Sequence, residues 1–182
     1  MEQIECESRV MINLNDYLSI IKDLHEQGHH FILSTNENIY LDDKDNSLNK
    51  KHWMLRIRKI NSQKEELTLK IPVDKGDIEI NETLSNHPEI DRYLDNRFNE
   101  FHEVARLITR RIEIKFPEYL FVIDENKYHG YIDYDIEIEA KDKEKAVSIM
   151  KQYCQQYNLE FKDHYYSKSK RAIAKAQGIK LI

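Results

Sequence analysis

The sequence predicts an α+β fold in which eight antiparallel β-strands close into a barrel flanked by helices. Three observations lead there. Eight segments read as strands, and most of the connections between successive ones are short, which favours antiparallel neighbours. Several of these strands place charged side chains on one face and aliphatic side chains on the other. Amphipathic helices lie between them and need an apolar surface to rest on. If the helices cover the aliphatic faces, the charged faces turn inward, and eight strands can join without leaving an edge.

In chain order, a strand over 2–12 carries Glu5, Glu7 and Arg9 on one face, with Ile4 and Cys6 on the other. Leu14, Tyr17, Leu18, Ile21 and Leu24 follow helical spacing, and Gly28 reads as the helix's C-terminal cap. Strands follow over 31–42, 53–60, 66–73 and 77–84, with turns at Asp45-Asn46, Asn61-Ser62 and Lys75-Gly76-Asp77. The second of these alternates Arg56 and Arg58 with Leu55 and Ile57. The third alternates Thr68 and Lys70 with Leu67 and Leu69. On the next strand Glu79 and Glu82 differ in parity, so only one can share the inner face if the strand is regular. From Pro88 to Ile108 an apolar stripe of Ile90, Tyr93, Leu94, Phe101, Val104, Ala105 and Ile108 predicts a second helix. Strands over 109–116, 119–126 and 131–140 come next, turning at Pro117-Glu118 and His129-Gly130, and the last carries Asp135, Glu137 and Glu139 in alternation. Helices over 142–157 and 167–176 complete the chain.

A chain of 182 residues fits one domain, here 1–182, with room for a sizeable core. Charged residues make up 34%, a high share that a wet, ionic interior would help to place. The net charge of −5 disfavours general nucleic-acid binding through phosphate neutralisation. No apolar run resembles a signal peptide or a membrane span. Cys6 and Cys154 show no metal-like or redox-like spacing and read as reduced core thiols, in keeping with a cytoplasmic protein. The sequence contains no P-loop, GxGxxG or HExxH motif.

One charged face on one strand is a weak signal, because solvated sheet faces alternate in the same way. The pattern gains weight because the Glu5/Glu7/Arg9, Arg56/Arg58, Thr68/Lys70 and Glu137/Glu139 faces recur together with helices able to cover the reverse side. Enclosed carboxylates repel one another unless a cation neutralises them. Hard oxygen ligands suit Mg²⁺ or Mn²⁺, and arginine forks suit phosphate. A cavity with both sets is electrostatically balanced when phosphate and metal are present together, which is the logic of metal-assisted phosphoryl transfer.

These residues resemble a known family. Glu5-Cys6-Glu7-Ser8-Arg9 is similar to the E-x-E-x-K signature of the CYTH superfamily, the triphosphate tunnel metalloenzymes. Tyr40-Leu41-Asp42, Leu55-Arg56-Ile57-Arg58, Leu67-Thr68-Leu69-Lys70, Arg111, Asp124, Asp135-Ile136-Glu137-Ile138-Glu139 and Ser167-Lys168 resemble its later motifs in order, along nearly the whole chain. The resemblance implies an eight-stranded tunnel that binds a triphosphate with divalent metal. It implies phosphate contacts from Arg9, Arg56, Arg58, Lys70, Arg111 and Lys168. It implies metal ligation by Glu5, Glu7, Glu137 and Glu139 with help from Asp124, and a catalytic set of Glu5, Glu7, Arg9 and Lys70. Arg9 departs from the family's usual lysine: it keeps the charge, but with a pKa above about 12 it is a poor proton donor. Asp135 replaces the usual first Glu of its strand, leaving open which carboxylates of that strand meet the metal.

The implied activity is metal-dependent hydrolysis of triphosphates. Inorganic triphosphate comes first because no feature specifies a base or thiazolium pocket. Adenylate cyclase and a non-catalytic polyphosphate or nucleotide sensor are the alternatives. The implied partner is a small-molecule triphosphate, and the chain would act as a monomer or homodimer.

Overall fold

The computed structural model describes residues 2–74, 76–162 and 165–181, with side chains from residue 6 onward. Alternation produces the strands: β1 (Glu2–Ile12), β2 (Ile32–Asp42), β3 (Met54–Ile60), β4 (Lys64–Val73), β5 (Gly76–Glu82), β6 (His102–Lys115), β7 (Tyr119–Tyr128) and β8 (Tyr131–Ala140). Each pairs antiparallel with two neighbours in the order β1-β5-β4-β3-β2-β6-β7-β8, and β8 returns to β1, so the sheet closes as a barrel.

The helices α1 (Leu14–Glu26), α2 (Ser47–Lys50), α3 (Pro88–Tyr93), α4 (Lys143–Gln156) and α5 (Lys168–Ala176) surround it. Ile20 and Leu24 of α1 and Met150 and Cys154 of α4 pack on Val10, Phe121, Ile123, Ile136 and Ile138, the outward apolar positions of β1, β7 and β8. On the far side, Leu48 of α2 and Ile90 of α3 cover Leu55, Leu67, Leu69 and Ile80. Burying these aliphatic groups is worth about 1.5–3 kcal/mol for each large side chain, and it fixes which strand face looks inward. Cys6 and Cys154 are both buried and unbridged.

A third cluster joins Ala172 of α5 to Tyr40, Ala105, Leu107 and Tyr128. These barrel positions share the parity of Asn38, Thr109 and Asn126, so they belong to the inner face. Helix α5 therefore seats in one mouth of the barrel instead of lying on its outside. No helix among the described residues is long and apolar enough to cross a membrane.

One expectation is corrected. The predicted helix over 88–108 stops at Tyr93, and after a short 3₁₀ turn at Phe98–Glu100 the chain enters β6 at His102. Asp95 and Asn96 adopt φ of 53° and 57°, a left-handed pair that ends the helix without a glycine. Beyond them Ala105, Leu107 and Thr109 are buried, while Arg106, Ile108 and Arg110 face out, a period of two. Helix α2 lies where the sequence showed only a turn.

Candidate active site

The inner faces converge on a cavity of about 270 Å³. Of the residues expected at the site, Glu7, Arg9, Arg56, Arg58, Lys70, Arg111, Glu137, Glu139 and Lys168 line it. Asp124 does not; it lies behind Arg111 and Lys168. The Glu5 side chain lies outside the described residues, and only its backbone pairing with Asp77 is described. Glu79 takes the inner face, whereas Glu82 accepts hydrogen bonds from the backbone N–H groups of Glu89 and Ile90 at the start of α3.

The β1–β8 register decides the rest of the acidic set. Arg9 stands opposite Glu137 and Glu7 opposite Glu139. Arg9 donates from Nε to Glu137 Oε1 at 2.6 Å and from a terminal nitrogen to Glu7 Oε1 at 2.7 Å. Arg111 forks onto both oxygens of Asp124 at 3.0 and 2.8 Å and reaches Glu137 Oε2 at 2.9 Å. Lys168 Nζ lies 2.7 Å from Asp124 Oδ2, 3.0 Å from Asp135 Oδ1 and 2.7 Å from Glu137 Oε1. A last cation, Arg171, donates to Asp135 Oδ2 at 2.5 Å.

Asp124, Asp135 and Glu137 bring oxygens within 4.8 Å of one another, close enough to share an ion. Every oxygen of the three already meets a guanidinium or ammonium group of this chain. Burial opposes ionisation of Glu137 and Asp135, but Arg9, Lys168 and Arg111 around the first, and Lys168 and Arg171 around the second, hold both carboxyls below the usual range. Glu7 and Glu139 differ. Their side chains are 25% and 26% exposed and stand side by side across the strand pair, so water and a hard cation can reach them.

Across the cavity the balance reverses. Lys70 pairs with Glu79 at 2.8 Å, and Glu79 also accepts from Asn81. Burial works against the Glu79 carboxylate, yet Lys70 and Arg56 hold it well below its ordinary pKa. Arg56 is 7% exposed, and its Nε has no hydrogen-bond partner. Among the described residues Arg58 donates to Asn38 alone, at 3.1 Å. Among the described residues neither guanidinium has a carboxylate within ion-pair distance. Burial, then repulsion from Arg56 and Arg111, pushes Arg58 down to about 9. On this half of the cavity Arg56, Arg58 and Lys70 outnumber Asp77 and Glu79, which leaves it net positive.

Asn36, Asn38, Thr109, Asn126, Asp133 and Arg171 were missed as site residues. The asparagines carry a readable signal, since Asn36 and Asn38 alternate with Tyr40 and Asn126 follows Asp124 by two. Arg171 follows Lys168 by three on a helix, which places both on one face.

The lowered carboxyl pKa values set an acid limit. A folded-state pKa below the unfolded value of about 4 gives stability that is complete above that value and lost as pH falls through the folded one. Urea unfolding should therefore show a steep loss of stability below about pH 4 and little change between pH 6 and 8. Equal stability at pH 3 and pH 7 would contradict the network.

The CYTH domain family model matches residues 3–164. The chain belongs to the CYTH family. It is 28% identical over 171 residues to a candidate triphosphatase of Bacillus subtilis, YjbK, covering 87% of this chain and 88% of that protein. A solved structure from Bacillus halodurans, described as a candidate adenylate cyclase, superposes with a TM-score of 0.82 at 24% identity over 93% of this chain and 97% of that one. HpAC1 from Hippeastrum, described as a candidate adenylyl cyclase with a dominant triphosphatase activity, gives 0.76 at 19% identity over 100% of this chain and 98% of that one. At these identities the two structures establish the CYTH barrel and nothing finer.

Proposed function

We propose that this CYTH protein hydrolyses triphosphates with the help of a divalent ion, Mg²⁺ or Mn²⁺, and that inorganic triphosphate is its first substrate. The observation that carries the reading is the buried Arg56 and part-buried Arg58, which face the cavity with no carboxylate within ion-pair distance among the described residues. Planar guanidinium forks grip phosphate oxygens, and an enclosed low-dielectric site strengthens each contact. Lys70, steadied by Glu79, adds a third positive group. In this proposal these groups hold the phosphate chain and stabilise charge developing on the leaving diphosphate. Arg9 and Arg111, each shared with carboxylates, line the acidic wall and meet the other end of the chain. Arg9 contributes charge and not a proton.

Glu7 and Glu139 fit a hard divalent cation best, with Glu137 beside them and Glu5 two residues before Glu7 on β1. Asp124 enters the proposal as the anchor of Arg111 and Lys168. A bound divalent ion supplies Lewis acidity and charge neutralisation toward phosphate oxygens.

The test is phosphate release from inorganic triphosphate, thiamine triphosphate and nucleoside triphosphates, with Mg²⁺ and Mn²⁺ compared and cyclic AMP measured in parallel. Cyclic AMP from ATP with little free phosphate would replace this reading with a cyclase. Tight triphosphate binding without turnover would leave a sensor. Glu7→Gln should lower turnover by about 100-fold or more while leaving the melting temperature near that of the parent, because the Glu7 side chain is partly exposed and, among the described residues, its carboxylate bonds Arg9 alone. Full activity in that variant would remove the metal from the proposal.

A further inference from the structure

Helix α5 has little apolar surface with which to hold its place. It is nine residues long, and its buried residues are Arg171, Ala172 and Ala174. Helices this short are marginal alone, and alanine contributes little burial energy. Yet α5 carries Lys168 into the cavity wall. Besides Ala172, only the partly buried Ile173 of α5 packs on the barrel-mouth cluster, a modest apolar contact that leaves room for a polar anchor.

Arg171 supplies a fourfold attachment. Its Nε and one terminal nitrogen donate to both oxygens of Asp133 at 3.0 and 3.2 Å. The same terminal nitrogen reaches Asp135 at 2.5 Å, and the other donates to the Tyr166 carbonyl at 2.8 Å, just ahead of the helix. Asp133 is held in turn by the Tyr128 hydroxyl and by Asn126, which also donates to Asp135. Arg171 does not line the cavity. Its link to the site is Asp135, whose Oδ2 meets Arg171 and whose Oδ1 meets Lys168.

We infer that Arg171 is a positioning residue: from behind the cavity it fixes α5 in the barrel mouth and so holds Lys168 in the wall of the triphosphate site. The inference rests on the proposed function for its kinetic meaning, but the anchoring itself does not. A buried arginine with a purely structural role would lower stability without acting through Lys168.

Two measurements test it on the full chain. Amide hydrogen exchange compares the parent with Arg171→Met and Arg171→Lys. Loss of protection in α5 with β1–β8 still protected is expected in the methionine variant. The lysine variant should regain part of it, since it keeps the charge but not the fork. Unchanged protection of α5 in both variants overturns the inference, whether or not the protein hydrolyses anything. The second measurement is kcat/KM for inorganic triphosphate with Mg²⁺ in a cycle of Arg171→Met, Lys168→Met and the double variant. Arg171→Met should fall by about tenfold or more, and the double variant should match Lys168→Met within about twofold, because one effect runs through the other. Losses that multiply would show independent roles and overturn it. A parent protein that neither binds nor turns over triphosphate defeats the proposed function, and the exchange result then decides the anchoring alone. If Arg171→Met does not fold, the exchange pattern of Arg171→Lys and its own cycle with Lys168→Met carry the test.

Discussion

Replacing Arg111 with methionine is expected to destabilise the protein by about 3–5 kcal/mol, the range for removing one partner of a buried ion pair. Asp124 is fully buried and Glu137 nearly so, and Arg111 donates three hydrogen bonds to them. Lys168 remains nearby, but its ammonium already serves three carboxylates. Water cannot easily reach Asp124, so with Lys168 alone beside it the desolvation penalty is only partly answered. Pairing the change with Asp124→Asn should restore part of the loss, since it removes the orphaned charge. The neighbouring Arg110 provides the contrast. It points outward with 74% of its side chain exposed, so Arg110→Met should stay within about 0.5 kcal/mol of the parent. Equal urea midpoints for the two variants would mean that Arg111 does not sit in a buried ionic lattice.

The Arg56→Met/Arg58→Met double variant should do the reverse, keeping or raising stability while losing the ligand. Burial and two like charges lower the Arg58 pKa to about 9, so it stays charged at neutral pH at a cost to the fold. Its folded-state pKa lies below the unfolded one, so charging it disfavours the fold at all pH values below about 9, and that penalty is relieved only as pH rises further. Methionine removes the penalty. Hydrogen bonds to charged groups are worth about 1.5–3 kcal/mol each, or roughly tenfold to hundredfold in affinity. The double variant should therefore bind inorganic triphosphate at least about 100-fold more weakly by calorimetry. In the parent, triphosphate at 100 times its Kd should add about 2.7 kcal/mol to stability. That gain should vanish in the variant. A double variant that binds triphosphate as tightly as the parent would remove the main support for the functional reading.

Much of the barrel was legible because a strand's period of two sorts residues by face without any knowledge of the partner strand. Glu7, Arg9, Arg56, Arg58, Lys70, Glu137 and Glu139 were placed correctly on that basis. The region after Pro88 was misread because Phe101, Val104, Ala105 and Ile108 fit helical spacing, while Ala105, Leu107 and Thr109 fit alternation equally well. The deciding signal, a left-handed Asp95-Asn96 pair, involves residues that tolerate this conformation only as single turns. What parity cannot supply is partnership. The resemblance implied Asp124 as an assisting metal ligand, and its contacts to Arg111 and Lys168 depend on the β6–β7 register and on where α5 docks. Helical spacing puts Arg171 on the face of Lys168, but its two carboxylates lie 38 and 36 residues away in sequence and could not be named from it.

Circular pairing also bears on how the chain acquires its shape. The meanders β3-β4-β5 and β6-β7-β8 join neighbours in sequence and can zip locally, whereas β1 bridges the two, with Arg9 meeting a carboxylate 128 positions downstream. The second flank of β1 is satisfied only when β8, the last strand of the barrel in sequence, is in place. Such distant seams are slow to close, so until then the open side of β1 is an unpaired edge able to pair with another chain.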